Sequence, residues 1–534
     1  MKFPFNKQFM VLMFLLLNCF ACYAANEDLI TRQITLKLTE AGTLPDKIVS
    51  SKKDLVTNLK IIGEINGSDL RFIREMAGSN VEGDSISGNL SVLDLSEARF
   101  VEGGDYYYKY NADRCYTSND IIGENVFSGC HSLTSVNIPS SVTAIGSSAF
   151  SGCNSLTSVN IPSSVTAIGS SAFSGCNSLT SVNIPSSVTA IGGGAFSGCS
   201  SLTSVNIPSS VTNIGESAFW YCKSLISVII PSSVTSIGDR AFSCCSSLIS
   251  VNIPSSVIKI GESAFSDCSS LTSVIIPSSV TSIGVNAFWR CYSLTSVNIP
   301  SSVTVIESTT FGYCISLTSI NIPSSVTKIK SSAFGGCSSL TSVNIPSSVT
   351  EIGKSAFGGC SSLTSVNIPS SVTEIGKSAF WGCSSLTSVN IPSSVTEIGE
   401  YAFGGCSSLT SVSIPSSVTM IGYDAFMQCS GLRSVYVYAE TPPSISANAF
   451  EGCDLKNCTF YVPKGTYDAY WLSEWGYFEN IVEFDATNIR NIVAESEVQE
   501  NARYAVNGQR LTAPVKGINL VKYNNGRVKK EIVK

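Results

Sequence analysis

Cysteine is the first candidate for metal or redox chemistry, because this chain of 534 residues contains 20 cysteines and a single histidine. Fourteen of them recur at a spacing of 23 residues: Cys130, Cys153, Cys176, Cys199, Cys222, Cys245, Cys268, Cys291, Cys314, Cys337, Cys360, Cys383, Cys406 and Cys429. A structural zinc site gathers four ligands at one point, whereas this spacing places one thiol in each repeat. We therefore predict neither a metal site nor a cofactor, and we interpret the cysteines as a column of small apolar side chains.

The remaining chemistry-bearing residues are few. Cys244, next to a column cysteine, and the pair Cys453 and Cys458 are the places where a disulfide could form in a secreted chain. The lone histidine, His131, excludes most triads and imidazole metal sites. The repeats contain no carboxylate pair flanking a pocket and no phosphate-binding loop, so we predict no catalytic residues. Enzyme activity in the irregular region 25–120 is a remote alternative.

The charge of the chain argues against a nucleic-acid partner. Charged residues make up 13 % of the sequence, and the formal net charge is −6. Domains that bind nucleic acid carry a basic patch or a general excess of lysine and arginine. The chain as a whole has no such excess, and we predict no nucleic-acid binding.

The element that must position these residues is a repeat of 23 residues. Residues 132–154, SLTSVNIPSSVTAIGSSAFSGCN, recur almost unchanged in residues 155–177. A period of this length indicates a solenoid in which each repeat forms one coil. The alternation in SVNI predicts a strand with one buried face, followed by a short extended return and one helical or 3-10 turn. The side chains predicted to point inward in the first coil are Leu133, Val136, Ile138, Val142, Ile145, Ala149, Phe150 and Cys153.

The motif LTSVNIPSSVTxIGxxAFxxC resembles the BspA-like leucine-rich repeat of bacterial surface proteins of the Bacteroidetes type. The region before the repeats and the segment TFYVPKGTYDAYWLSEWGYFENIVEF resemble the flanking parts of the same proteins. The resemblance implies a leucine-rich-repeat solenoid, a right-handed superhelix with a parallel β-sheet on its concave face and short turns or 3-10 segments opposite. It also implies adhesion to host matrix proteins or to other bacteria.

The chain divides into segments by composition and by register. The repeat strand pattern recurs in degenerate form in residues 56–61 and 90–95, and the aromatic run 471–478 is suited to close the last coil. The segments predicted are a signal peptide in 1–24, an N-terminal cap in 25–120, the repeats in 121–435, a C-terminal cap in 436–485, a linker in 486–500 and a small β module in 501–534. Two Asn-Gly pairs in the last segment predict hairpins. That module resembles sorting or attachment signals of secreted proteins, and a plain β tail is the alternative.

The N-terminus predicts export. Lys2 and Lys7 precede a short apolar run, and Ala24 ends a small-residue cleavage site. Lipid attachment at Cys19 or Cys22 and a retained membrane anchor are the alternatives. No other apolar segment is long enough to span a bilayer, so we predict a mature protein that is secreted or held on the outer cell surface.

Two columns of outward residues are candidate binding sites. The first consists of aromatic and arginine residues around certain column cysteines, residue types enriched at binding hot spots: Trp220, Tyr221, Trp289, Arg290, Tyr292, Tyr313 and Trp381. The alternative is that they only shield the loops between coils.

The second column is a polar ladder on the predicted strands: Asn137, Asn160, Asn183, Asn206, Asn252, Asn298, Asn321, Asn344, Asn367 and Asn390. Such a ladder could hydrogen-bond a protein or a glycan, or it could only solvate the sheet. We predict a protein that acts by protein binding or adhesion, with affinity in the aromatic column. A passive spacer or surface coat without a specific ligand is the alternative function.

Overall fold

The computed structural model describes residues 29–446, 448–485, 500–505, 510–511, 513, 515–523 and 528–533. The predicted signal peptide with Ala24, Cys19 and Cys22, nearly all of the predicted linker and both Asn-Gly turns lie outside these residues. The described chain forms a parallel β-solenoid, as the 23-residue period predicts.

One parallel sheet of 19 strands, the long sheet, runs through the solenoid. Successive repeats pair in register, so that Ser181, Val182 and Asn183 lie beside Ser204, Val205 and Asn206. Valine faces the core, while serine and asparagine face outward. The strands are Ile34–Lys37, Asn58–Ile65, Val92–Phe100, Ser135–Asn137, Ser158–Asn160, Ser181–Asn183, Ser204–Asn206, Ser227–Ile229, Ser250–Asn252, Ser273–Ile275, Ser296–Asn298, Ser319–Asn321, Ser342–Asn344, Ser365–Asn367, Ser388–Asn390, Ser411–Ile414, Ser434–Val437, Thr459–Pro463 and Ile481–Phe484.

The predicted extended return forms a second row of two-residue parallel strands. One sheet contains Ile121–Ile122, Ala144–Ile145, Ala167–Ile168, Ala190–Ile191, Asn213–Ile214, Ser236–Ile237, Lys259–Ile260 and Ser282–Ile283. A separate sheet contains Val305–Ile306, Lys328–Ile329, Glu351–Ile352, Glu374–Ile375, Glu397–Ile398, Met420–Ile421 and Ser444–Ile445. Turns complete each coil.

The interruption of this second row coincides with a change in one glycine column. A Cβ atom at Gly284 would lie 2.6 Å from the backbone nitrogen of Glu262 in the preceding coil. Glu307 carries a side chain at the next position of the column, and the pairing stops between Ile283 and Ile306. Pairing resumes in the following coil, although Lys330 also replaces glycine there.

The core repeats from coil to coil. Phenylalanine rings stack along the solenoid, and the centroids of Phe150 and Phe173 lie 5.1 Å apart. All fourteen column cysteines are buried. The Sγ atom of Cys153 donates to the carbonyl oxygen of Phe127 at 3.1 Å, and this bond recurs along the column. The predicted inward positions are therefore confirmed.

The N-terminal end is closed by irregular elements around a helix over Gly67–Met76, which Asn66 and Asp69 cap reciprocally. Its Leu70, Ile73 and Met76 are buried. A short helix over Leu44–Lys47 and a 3-10 helix over Ser50–Leu55 precede it. An antiparallel pair, Tyr108–Tyr110 with Asp113–Cys115, is called here the tyrosine hairpin.

The C-terminal end is closed by aromatic side chains. The elements are 3-10 helices over Leu455–Asn457 and Glu474–Tyr477 and an α-helix over Tyr467–Trp471. Trp475 is 1 % exposed, and its indole nitrogen donates to the carbonyl oxygen of Pro443 at 2.8 Å. Phe478 stacks on Phe460 with centroids 3.8 Å apart. Part of the run 471–478 thus plugs the last coil, whereas Trp471 and Tyr477 remain exposed.

The last described residues form an antiparallel sheet in the order Arg510–Leu511, Glu500–Ala505, Gly517–Tyr523, Val528–Val533. Arg503 pairs with Leu511, and Ile518 pairs with Ile532, so both predicted hairpin pairings are present.

Candidate functional site

The residue before each column cysteine lies in a turn and has a left-handed backbone conformation. In most coils this position is glycine, such as Gly175 with φ of 73°. A Cβ atom on Gly175 would meet only the backbone of Gly152, at 3.6 Å, which is ordinary contact. The turn therefore has room for a side chain, and the obstacle to placing one there is conformational.

Five successive coils carry other residues at this position: Tyr221, Cys244, Asp267, Arg290 and Tyr313, all with φ between 57° and 63°. A side-chain-bearing residue in this conformation costs roughly 1–2 kcal/mol. Such residues cluster at functional sites when the surrounding structure holds them in place. The run of five marks this part of the solenoid as different from its neighbours.

Exposed hydrophobic side chains mark the same part of the solenoid. Between residues 131 and 418, eleven large hydrophobic side chains are exposed, and all but Trp381 lie within residues 220–315. Ile258 lies at the start of a second-row strand. The other nine define what we call the apolar patch: Trp220, Tyr221, Ile226, Ile229, Ile249, Ile275, Tyr292, Tyr313 and Ile315.

The isoleucines of the apolar patch lie on and beside the outer face of the long sheet. Ile229 and Ile275 are 71 % and 77 % exposed, and each pairs with Asn252 on the strand between them. Ile226 and Ile249 occupy adjacent coils, and the backbone nitrogen of Ile249 donates to the carbonyl oxygen of Ile226. They replace residues that are threonine or asparagine in the preceding coils.

In two of the turns an aromatic ring packs against a neighbouring ring or a cation. The rings of Trp220 and Tyr221 lie 5.3 Å apart, and Lys223 Nζ lies 4.2 Å from the Tyr221 ring centroid. The Arg290 guanidinium lies 4.0 Å from the Trp289 ring centroid, which leaves Trp289 half-buried. One turn thus brings together three predicted binding residues, Trp289, Arg290 and Tyr292. Trp381, another predicted binding residue, lies outside residues 220–315.

All ten predicted ladder asparagines are exposed on the strands of the long sheet between residues 135 and 390. Within the described solenoid, no hydrogen bond joins the amides of successive ladder asparagines. Other side chains connect the coils: besides the column cysteines, Thr157 Oγ1 donates to the carbonyl oxygen of Thr134 at 3.0 Å and Ser164 Oγ donates to that of Val142 at 2.6 Å. Apart from Asn137, which hydrogen-bonds the Asp94 carboxylate, the asparagines therefore remain available to solvent or to a ligand.

The cysteines have the electrostatics of packed thiols. Burial raises the pKa of Cys130 to about 11 and that of Cys199 to about 12. Thiols with such values stay protonated and unreactive at neutral pH. Cys244, Cys453 and Cys458 are free thiols in the structure, so the suggested disulfides are not present.

The charged residues of the later coils pair across coils. Glu351 lies 3.1 Å from Lys328 Nζ and 3.4 Å from Lys330 Nζ, and the hydrogen bond from Lys328 helps to lower the pKa of Glu351. Lys377 pairs with Glu400. These exposed pairs form a solvated ridge and offer no pocket.

The described ranges contain neither a cluster of metal ligands nor a membrane-spanning helix. No group of three or more histidine, cysteine, aspartate or glutamate side chains within them is arranged to hold a metal ion. Within the same ranges no helix is long and apolar enough to cross a membrane.

Sequence reasoning missed the isoleucines of the apolar patch. Ile229 and Ile275 interrupt the asparagine column, and Ile226 and Ile249 interrupt the threonine column. The detectable signal was their clustering in the coils that also carry the aromatic substitutions. Comparing every outward column at once, instead of each column separately, would have found it.

Comparisons with known proteins agree with this architecture. The family model described as BspA type leucine rich repeat region matches residues 120–249, 236–364 and 327–457, which together span more than half of the chain. The chain therefore belongs to the BspA-type leucine-rich-repeat family. A search of curated proteins finds no match.

Solved structures of leucine-rich-repeat proteins are similar to the chain. A protein from Bacteroides ovatus is 33 % identical, with 58 % of this chain and 85 % of that chain covered and a TM-score of 0.51. A leucine rich cell surface protein from Faecalibacterium prausnitzii is 33 % identical, with coverage of 66 % and 89 % and a TM-score of 0.40. The family and the first of these structures support a repeat scaffold for protein interaction.

Proposed function

We propose that this protein is a secreted or outer cell-surface protein that binds another protein, on a host or on a bacterium, through the apolar patch. The observation that carries the proposal is the concentration of exposed large hydrophobic side chains in residues 220–315. Exposed apolar clusters with a polar surround are typical of protein-interaction sites. Tryptophan, tyrosine and arginine are the residue types that dominate binding energy in such sites.

The asparagine ladder is the second candidate surface, and it suits a polar ligand such as a glycan. Its side chains are small, equivalent and hydrated, and each hydrogen bond contributes only about 0.5–1.5 kcal/mol. The ladder also continues through coils that carry no residue of the apolar patch. We therefore assign affinity to the apolar patch and assign to the ladder the solvation of the long sheet.

A passive spacer without a ligand is the alternative function, and the left-handed residues argue against it. A spacer gains nothing from Tyr221 or Arg290 where glycine is the relaxed choice. The proposal includes export by the segment 1–24 with cleavage after Ala24, a linker in 486–500 and a small β module in 501–534, and a lipid anchor is the alternative to cleavage after Ala24. Enzyme activity is not proposed.

The test uses a variant in which six of the nine residues of the apolar patch are replaced by the residues of neighbouring coils. Its substitutions are Trp220→Ser, Tyr221→Gly, Ile226→Thr, Ile229→Asn, Ile249→Thr and Ile275→Asn. These residues already occur in the same columns, so the coils should fold normally. The purified protein and this patch-reverted variant are used to capture proteins from host matrix and bacterial surface extracts, followed by affinity measurement.

We expect a partner that the intact protein captures to bind the reverted variant at least about a hundredfold more weakly, because several anchors of the kind that dominate interfaces are lost. The matched control is Asn344→Ala, Asn367→Ala and Asn390→Ala on coils without the patch, which should bind normally. Loss of binding in the control with retention in the reverted variant would assign recognition to the ladder. Absence of any captured protein would favour the spacer.

A further inference from the structure

A cavity of about 440 Å³ lies beside the tyrosine hairpin, in the N-terminal part of the chain. Tyr108, Tyr110, Asp113, Arg114, Glu124 and Asn125 line it. The volume lies within the range of about 300–1,000 Å³ that small-molecule sites occupy. This cavity plays no part in the function proposed above, and no residue of the apolar patch contributes to it.

The hairpin that forms one wall is fixed to the solenoid. Tyr107 is buried, its hydroxyl donates to the carbonyl oxygen of Glu124 at 2.8 Å, and burial raises its pKa. The backbone nitrogen of Lys109 donates to the carbonyl oxygen of Val81 at 2.8 Å. These bonds hold the wall in place before any ligand arrives, which reduces the entropic cost of binding.

The opposite wall is held by a buried arginine. The guanidinium of Arg74 donates to the carbonyl oxygens of Asn125 at 2.8 Å and Val126 at 3.0 Å. It also lies 4.9 Å from the ring centroid of Tyr108. Arg74 thus connects the tyrosine hairpin to the first regular coil and positions both sides of the cavity.

The polar groups of the cavity face an open space. Tyr110 is 66 % exposed, and Asp113, Arg114 and Glu124 are exposed as well. Over the residues that the structure describes, no side chain hydrogen-bonds the Asp113 carboxylate or the Arg114 guanidinium. Carboxylates only accept hydrogen bonds and guanidinium groups only donate them. A ligand that satisfies both must offer donors and acceptors close together, as vicinal hydroxyl groups do.

We propose that this cavity binds a neutral saccharide. Planar carboxylate, guanidinium and amide groups hydrogen-bond its hydroxyls, and the ring of Tyr110 covers its apolar C–H face. The charge of the lining selects against anions, because Asp113 and Glu124 outnumber Arg114. Arg114, which lies 4.9 Å from the Tyr106 ring centroid, offsets one of the two carboxylates, so the lining keeps a small net charge that suits a neutral ligand.

The test is binding of the purified full-length protein to an immobilised array of neutral, sialylated and phosphorylated oligosaccharides, followed by calorimetry with the neutral saccharide retained best. Two variants probe the site. Tyr110→Ala removes an exposed ring without disturbing the core, and Asp113→Asn keeps the shape while removing the charge. Each should weaken binding about tenfold or more. Trp471→Ala, which removes an exposed aromatic side chain in the C-terminal cap, is the matched control and should bind normally.

Circular dichroism and the melting temperature establish that each variant is folded. Retention of only acidic or phosphorylated glycans would overturn the proposal, as would the absence of any retained saccharide. Neutral-saccharide binding that Tyr110→Ala and Asp113→Asn leave unchanged would also overturn it. Because none of these residues belongs to the apolar patch, the result is independent of the capture experiment on protein partners.

Discussion

The coils of residues 132–219 and those of residues 220–315 have nearly the same interior and different exteriors. Both contain stacked phenylalanines with centroids 5.1–5.6 Å apart and buried column cysteines. In the first group, glycine occupies the left-handed turn before the cysteine, and no large hydrophobic side chain is exposed. In the second group, tyrosine, arginine and isoleucine occupy outward positions.

In this repeat, the inward residues determine the fold, and the outward residues can change without altering it. The inward residues satisfy their contacts with identical residues of the adjacent coils, so stability is set mainly by nearest-neighbour stacking. The outward positions are then free to change where the backbone tolerates it. The position before the cysteine tolerates a side chain sterically and disfavours it conformationally, so its occupation in five successive coils is informative.

The largest expected effect is the difference in alkylation rate between the buried column cysteines and Cys244. The column cysteines of both groups should react with an alkylating reagent at least about a thousandfold more slowly in the native state than in denaturant, because labelling requires local opening. Cys244 is half-buried on a turn and should label readily under native conditions. Mass spectrometry after timed alkylation measures both. Rapid native labelling of most column thiols would contradict the buried interior.

Core truncation should affect the two groups equally. Phe173→Ala and Phe242→Ala each remove a fully buried ring stacked between two others. Each should lower the free energy of unfolding by about 3–5 kcal/mol. Urea denaturation followed by circular dichroism compares them. A difference between the two of more than about 1 kcal/mol would show that the coils of 220–315 have a different core.

How far the sequence predicts this molecule depends on whether the signal repeats. The inward column, the strand and its return follow from a pattern repeated in every coil, so packing of Val136 or Phe150 could be deduced from period and hydrophobicity alone. The predicted closing role of the aromatic run 471–478 has a different basis, because the end of a solenoid exposes an apolar face that must be covered.

Features that occur once could not be predicted in the same way. The interruption of the second row at Glu307 depends on how closely two backbones approach, which the sequence does not show. The cavity beside the tyrosine hairpin depends on Arg74, which is distant in sequence from Asn125. The isoleucines of the apolar patch were visible as residues, but their joint exposure required the register of neighbouring strands.

The left-handed turns should give a smaller effect with opposite signs in the two groups. Tyr221→Gly restores the residue of the preceding coils and should stabilise the protein by up to about 1 kcal/mol, since relief of strain exceeds the added entropy of the unfolded chain. Gly175→Tyr should destabilise it by about 1 kcal/mol. Melting temperatures of both variants decide this. Destabilisation by Tyr221→Gly would mean that its ring contacts outweigh the strain.

We propose that the apolar patch recognises the partner by itself, wherever it lies in the solenoid. The most direct measurement moves the patch by three repeats. In the patch-reverted variant, the equivalent positions are changed by Ser151→Trp, Gly152→Tyr, Thr157→Ile, Asn160→Ile, Thr180→Ile and Asn206→Ile, which the equivalent backbone can accommodate. The affinity for the captured partner is then measured by surface plasmon resonance. We expect the affinity for the partner to return to within about tenfold of the affinity of the intact protein. Binding that stays at the level of the reverted variant, with the transplanted protein folded, would contradict it.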